Sequence, residues 1–193
     1  ADLLVLADIS QLYAISLEGH ALGAVSWNKI AESNDRSFFE QLGMSTEAPY
    51  FNAGVLLIDA NQWRKSNIGP RCFEVLDRYG AALPTMDQTV LNLVFYKSFF
   101  QLPRRFNTPV TASRPPLARS VVASRVIHLV AYPKPWDAFG FLNGQFELFQ
   151  FWFRQTAYRG KRPSMLHMRN VRKIKAILKC LPNLLRARRG DGG

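Results

Sequence analysis

His128 and Lys134 sit six residues apart in the stretch HLVAYPKPW, which ends at Trp136. An imidazole can ligate a divalent metal through a ring nitrogen, and an ammonium can pair with phosphate oxygens as a compact charge. The prolines between and after them fix backbone torsions, so the two groups would be held at a set separation. At the other end of the chain Asp2 stands directly before the apolar run Leu3 to Leu6. An early carboxylate brought to a late imidazole is one way to assemble a catalytic divalent cation.

Two further places carry polar residues where apolar ones would be expected. Asn52, Ala53 and Gly54 interrupt the apolar stretch YFNAGVLLI (Tyr50 to Ile58), and Asp87 and Gln88 open DQTVLNLVFY. Each has an ordinary alternative. Asp2 alone reads as a solvated terminal acid, His128 as a satisfied core histidine, and Lys134 as surface charge. A glycine inside a strand marks either a bulge or a close approach to a ligand, and Asp87 with Gln88 serves equally as a helix cap.

The elements that must position these residues follow from the hydrophobic pattern. Leu3 to Leu6 reads as a buried strand, and Asp8 as the cap of a short helix over SQLYAI, ended by Gly19. Ala21 to Ser26 and Tyr50 to Ile58 read as strands, with a polar helix-and-loop segment between Trp27 and Pro49. Asp59 caps a turn holding Trp63. Pro70 lies near the start of a helix in which Phe73, Leu76 and Tyr79 recur at helical spacing, and Gly80 stops it. Asp87 to Tyr96 is a helix, FFQLP a short strand, Arg104 to Ser120 a loop, and Val126 to Val130 a buried strand. Gln145 to Tyr158 is an aromatic-rich helix. Alternating strands and helices predict an α/β fold with a mixed, mostly parallel sheet flanked by helices.

The chain has 193 residues, 48% of them hydrophobic, enough for one domain with a sizeable core. It does not open on methionine and an apolar strand begins within three residues, so it reads as a fragment lacking upstream sequence. No apolar run approaches the roughly 18 residues of a membrane span. Cys72 and Cys180 form no framework, which suits a reducing compartment. The net charge of +11 is local: eleven of the 25 Lys and Arg lie between Arg159 and Arg189, with no Asp or Glu among them. Val171, Ile174, Ile177, Leu178 and Leu181 fall at helical spacing there, with Arg172, Lys173, Lys175 and Lys179 mostly opposite. The chain thus divides into a body, 1–158, and a basic amphipathic tail, 159–193. The tail's alternatives are docking on the body, attachment to an anionic membrane face, or nucleic-acid binding, the last disfavoured because no aromatic is interleaved with the charges.

Taken together, the blocks ADLLVLADISQLYAISLEGHALGAV, YFNAGVLLIDANQWR, MDQTVLNLVF, LPRRFN and HLVAYPKPW resemble glycosyltransferase family 8, in particular its bacterial lipopolysaccharide galactosyl- and glucosyltransferases. They occur in the family's order between residues 1 and 136. The resemblance implies a nucleotide-binding fold of the GT-A type whose N-terminal nucleotide-binding part precedes this sequence. Ala1-Asp2 matches the last two positions of the family's D-x-D motif.

The resemblance further implies that Asp2 and His128 are metal ligands for Mn²⁺ (or Mg²⁺) bridging the diphosphate of a UDP-sugar, with Lys134 supporting that diphosphate. Ala131 stands where the family's H-x-x-G-x-x-K-P-W element has glycine. Asn52, Ala53 and Gly54 match the donor-sugar strand, and Asp87 with Gln88 the sugar-binding pair, the two candidate catalytic residues. The implied activity is a retaining hexosyl transfer of galactose or glucose from UDP-galactose or UDP-glucose to a saccharide or glycolipid acceptor such as lipopolysaccharide. The implied location is cytoplasmic, on the inner face of the membrane through the tail. The other reading of the fragment is an inactive remnant whose basic tail binds anionic membrane or nucleic acid.

Overall fold

The computed structural model describes residues 2–115, 117–118, 120, 123–130, 132–137 and 139–160, together with 178 and 182. Ala131 and nearly all of the basic tail therefore lie outside the described residues. The chain divides into two compact units, one built from residues 1–7 and 108 onward, the other from 8–107.

In the first unit, β1 (Leu3–Val5), β5 (Thr108–Thr111) and β6 (Val126–Val130) form a sheet of order β1-β6-β5. The central strand runs antiparallel to β1, with Leu3 opposite His128, and parallel to β5. Its first four residues are all buried, as expected of a strand covered on both faces. Val110, Ile127, Leu129 and Leu148 make the small core, with Leu4, Leu6, Trp136 and Phe149 packed around it. The helix Phe146–Phe153, α6, supplies Leu148 and Phe149 and stops five residues short of the expected Tyr158.

In the second unit, β2 (Leu22–Lys29), β3 (Pro49–Ile58) and β4 (Phe100–Gln101) give a sheet of order β3-β2-β4. Here β2 is antiparallel to β3 and parallel to β4. Around it lie α1 (Ser10–Tyr13), α2 (Arg36–Gln41), α3 (Ala60–Lys65), α4 (Ile68–Tyr79) and α5 (Asp87–Val94). Leu22, Ala24, Ile30, Phe39, Phe51, Ile68 and Phe95 fill its core. The mixed α/β class is as expected, but antiparallel pairs are as numerous as parallel ones among the described strands.

Several local expectations hold for the stated reasons. Asp59 is the N-cap of α3, its Oδ1 accepting from the N–H groups of Asn61 and Gln62 at 2.9 and 3.0 Å. Asp8 holds the entry to α1 by accepting from the Ser10 N–H at 2.9 Å, one residue ahead of the cap position. Gly80 closes α4 at a φ of 43°, which favours glycine.

Two expectations are corrected. The buried face of α4 is Ile68, Cys72, Val75 and Tyr79, whereas Phe73 is 67% exposed and Leu76 39% exposed. Steps of four, three and four stay on one stripe of a 3.6-residue helix, while successive steps of three drift around it. Arg104 to Ser120 is not all loop: Arg104–Phe106 is a 3-10 turn and Thr108–Thr111 is β5. Pro109 hides the strand in the sequence, and it is tolerated because β5 pairs on one side only among the described strands.

Asn92 fastens α5 to β3. The residue is 3% exposed, and its side chain accepts from the Phe51 N–H at 2.9 Å while donating to the Phe51 carbonyl at 2.8 Å. Phe51 pairs with Ser26 of β2 on one side, and on the other edge of β3, open among the described strands, Asn92 takes the place of a strand. Asn92→Ala leaves both groups of Phe51 without partners, so urea denaturation is expected to show a loss of about 2–4 kcal/mol. A loss below about 0.5 kcal/mol, within the range of a neutral surface change, would mean that the staple is dispensable.

Candidate functional site

Pairing of β1 with β6 brings the start of the chain against the strand that carries His128. The Leu129 N–H donates to the Asp2 carbonyl at 2.9 Å. Asp2 Oδ1 then lies 3.4 Å from His128 Nε2, and Asp2 Oδ2 accepts from Lys134 Nζ at 2.8 Å. Lys134 Nζ also donates to the Leu129 carbonyl. Asp2, distant in sequence, is thus gathered into one cluster with His128 and Lys134.

The turn that presents Lys134 is fixed from several sides. Its N–H donates to Asp137 Oδ2 at 2.9 Å, and the Asp137 N–H returns a bond to the Lys134 carbonyl at 2.9 Å. Asn143 Nδ2 donates to the Pro133 carbonyl at 2.7 Å. Gly140 packs directly on the backbone of Lys134 and Pro135, where a Cβ would collide with both carbonyl oxygens. Asp137 and Asn143 escape a reading of the sequence because their partners are backbone atoms of a neighbouring turn.

Charge in the cluster is unequally felt. Partial burial pushes the Asp2 carboxyl up, but the Lys134 ammonium and then His128 outweigh it, so the group sits below its ordinary range. Burial, with Lys134 acting in the same direction against Asp2, holds the His128 imidazole below its ordinary value. A neutral ring has a lone pair to offer a metal.

Two metal bonds of about 2.1 Å at right angles place their donor atoms roughly 3 Å apart. The Oδ1–Nε2 pair approaches that spacing, and a carboxylate with an imidazole suits Mn²⁺ or Mg²⁺. Among the described residues no group of three or more His, Cys, Asp or Glu gathers around one point. Asp2 and His128 together offer two ligand atoms toward one cation.

The second unit holds a separate polar cluster. Between Ala24–Leu56 and Val25–Asn52 the register of β2 and β3 shifts, leaving Ala53, Gly54 and Val55 as extra residues on β3. Asn52 Nδ2 and the Ala53 N–H both donate to Gln88 Oε1, at 2.9 and 3.1 Å. Asn52 Oδ1 accepts from the Gly54 N–H at 2.8 Å and from Asn107 Nδ2 at 2.9 Å. Gln88 Nε2 donates to the Tyr50 hydroxyl at 3.1 Å. Before α5, Met86 takes a φ of 52°, unusual for a side chain with a Cβ. A cavity of about 170 Å³ opens here, lined among others by Trp27, Glu32, Tyr50, Asn52, Thr85 and Gln88.

Asn52, Ala53, Gly54 and Gln88 are thus brought together, and Asp87 is not with them. It is exposed on the first turn of α5. Tyr50, Thr85, Asn107 and Trp27 join the cluster without a motif of their own to mark them. Asn107 closes the LPRRFN block, and Tyr50 stands two residues before Asn52, so adjacency to the motifs was the available signal.

The mixed α/β fold is that of GT-A glycosyltransferases. The crystal structure of galactosyltransferase LgtC in complex with donor and acceptor sugar analogs superposes with a TM-score of 0.61 at 24% identity, over 82% of this chain and 62% of that one. Residues 1–140 match the sequence profile of glycosyl transferase family 8. The chain belongs to that family.

A probable glycosyl transferase Gly of Streptococcus gordonii is 30% identical over 140 residues, 72% of this chain and 19% of that protein. The lipopolysaccharide 1,3-galactosyltransferase of Salmonella typhimurium is 25% identical over 151 residues, 72% of this chain and 43% of that protein. The chain spans about half or less of the length of these curated relatives.

Gly140→Ala is expected to lower stability by about 1–3 kcal/mol, since a methyl must displace the Lys134–Pro135 backbone. Chemical denaturation measures this. An unchanged midpoint would show that the turn yields without cost and does not fix Lys134.

Proposed function

We propose that residues 1–158 form the catalytic part of a retaining hexosyltransferase, moving galactose or glucose from UDP-galactose or UDP-glucose to a saccharide or glycolipid acceptor. The observation that carries this reading is the convergence of Asp2, His128 and Lys134, three groups suited to one diphosphate and its counter-ion. The likeness to a lipopolysaccharide 1,3-galactosyltransferase supports lipopolysaccharide as the acceptor class.

Asp2 and His128 would hold Mn²⁺ or Mg²⁺, which supplies charge neutralisation for the departing diphosphate. Lys134 adds a cation beside the same oxygens, exchanging its contact with Asp2 for one with phosphate. Asn52, with the Ala53 and Gly54 backbone, and Gln88 contact the hexose. As the bond from C1 to the phosphate oxygen breaks, its electron pair leaves with UDP. The acceptor oxygen bonds to C1 from the same face and its proton passes to the leaving phosphate. Gln88 Oε1, held by two donors, presents the negative end of an amide dipole to the positive charge building at the sugar. An amide is a poor nucleophile, so the route proceeds without a covalent sugar–enzyme adduct. Asp87, at the exposed start of α5, is the second member of the donor-sugar pair with Gln88.

The test is UDP release from a panel of UDP-sugars with Mn²⁺, with and without chelator. Turnover is expected for UDP-galactose or UDP-glucose, abolished by chelation and reduced roughly 100-fold or more by Asp2→Ala, His128→Ala or Gln88→Ala. Intact-mass spectra are expected to show no glycosylated protein. Metal-independent turnover, or a sugar adduct on Gln88 or Asp87, would overturn the reading.

Among the described residues no helix is long and apolar enough to cross a membrane. We assign residues 159–193 to attachment at an anionic membrane surface. Each basic side chain near such a surface contributes about 1 kcal/mol, and the tail adds an apolar stripe. Full-length chain is expected to sediment with anionic liposomes, and a variant with Arg172, Lys173, Lys175 and Lys179 changed to Glu to remain in the supernatant. Equal pelleting of both would end the membrane assignment.

A further inference from the structure

Asp35 is completely buried, yet its carboxylate makes no bond to the helix it precedes. It occupies the N-cap position of α2, where Asp normally accepts from the first free N–H groups. Instead it turns inward. Its Oδ2 accepts from the Tyr50 hydroxyl at 2.7 Å, and both oxygens accept from the Thr85 hydroxyl at 3.0 Å. A buried carboxylate diverted from the local cap it is placed to make is serving partners elsewhere.

Those partners lead to Gln88. With its proton committed to Asp35, the Tyr50 oxygen can only accept from Gln88, and the atom that donates to it at 3.1 Å must be Nε2. The opposite end of the amide is fixed independently, because the Ala53 N–H can only donate and so requires Oε1. Reversing the Tyr50 hydroxyl would set donor against donor and release one end of the amide. Burial, and after it the bond to Asp35, holds the Tyr50 phenol well above its ordinary range, so the hydroxyl keeps its proton. Thr89 steadies the arrangement, its oxygen accepting from the Thr85 N–H at 2.9 Å.

We propose that Asp35 is a positioning residue that, through the Tyr50 hydroxyl, anchors the Nε2 end of the Gln88 amide and, with the Ala53 N–H at Oε1, locks the way it faces. It touches no substrate, and its effect on transfer rests on the role given above to Gln88. The orientation itself does not depend on that role.

Two measurements test it. In ¹⁵N-labelled full-length protein the Gln88 side-chain NH₂ is expected to give a resolved, slowly exchanging pair with a contact to the Tyr50 ring. Asp35→Asn and Tyr50→Phe should each shift that pair and raise its exchange at least tenfold. In turnover assays Asp35→Asn is expected to lower kcat tenfold or more with donor KM within twofold. In a Gln88→Ala background it should have no further effect. An unmoved Gln88 pair in both variants, or costs that multiply in the double variant as a general packing defect would, overturns the proposal. Tyr50→Phe keeps the test open should Asp35→Asn not fold. If the unaltered protein turns over no UDP-hexose and the Gln88 pair still responds, the transferase reading fails and the Asp35–Tyr50–Gln88 relay stands.

Discussion

Lys134 and Asp2 lie 132 residues apart in sequence and 2.8 Å apart in space. That closure depends on the antiparallel register of β1 with β6, set by Leu3 opposite His128. Closing so long a loop costs only slightly more entropy than closing a short one, because the cost grows with the logarithm of length. What makes it hold is burial. Leu4 and Leu6 pack against Val110, Ile127 and Leu129, so the register that seats Asp2 beside His128 also covers the core. A slip of one residue would turn Leu4 outward and carry the carboxylate to the other face.

The unit of residues 8–107 solves a different problem. Asp35, Thr89, Asn92 and Asn107 are buried there, and no buried side-chain nitrogen or oxygen among the described residues lacks a hydrogen-bond partner. Such a network is costly if any member is lost and rigid when complete. It accounts for the bulge on β3. Three extra residues cannot continue the ladder, and the side chains of Asn52, Gln88 and Asn92 take up backbone groups that strand pairing would have satisfied. The polar residues at the site are therefore also the ones that hold the strand in its irregular path.

The sequence was legible where periodicity or capping chemistry acts locally. β6 was readable to the residue because five apolar or buried positions end at a proline-rich turn, and α3 because Asp59 precedes it. The pairing of Asp2, His128 and Lys134 came from motif order, since nothing in local spacing carries a 132-residue contact. What stayed hidden was set by tertiary partners. β5 contains Pro109, which argues against a strand until its one-sided pairing is seen. Asp35 lies in the polar segment between Trp27 and Pro49, where no local pattern marks it, and only its contacts with Tyr50 and Thr85 reveal its part. Asp87 and Gln88 are neighbours read as a pair, but on a helix adjacent residues diverge by about 100°, so burying one exposes the other.

The two clusters differ in kind, and the difference matches the charge flow of the proposed transfer. In the first cluster Asp2 and Lys134 carry formal charge beside the titratable His128, whereas Asn52 and Gln88 are themselves neutral amides, with Glu32 on the cavity lining and the buried Asp35 behind Tyr50 as the acids of that region. A diphosphate leaving group accumulates full negative charge, which cations stabilise strongly. A hexose gains only partial positive charge at one carbon. A fixed carboxylate there would favour covalent capture, whereas an amide oxygen held by two donors offers a weaker, oriented dipole. Such a dipole acts only if it cannot rotate, since a flipped amide would present its NH₂ and repel the same charge. The orientation of one side chain thus carries the sign of the interaction, which is why a buried carboxylate two contacts away has a bearing on the chemistry.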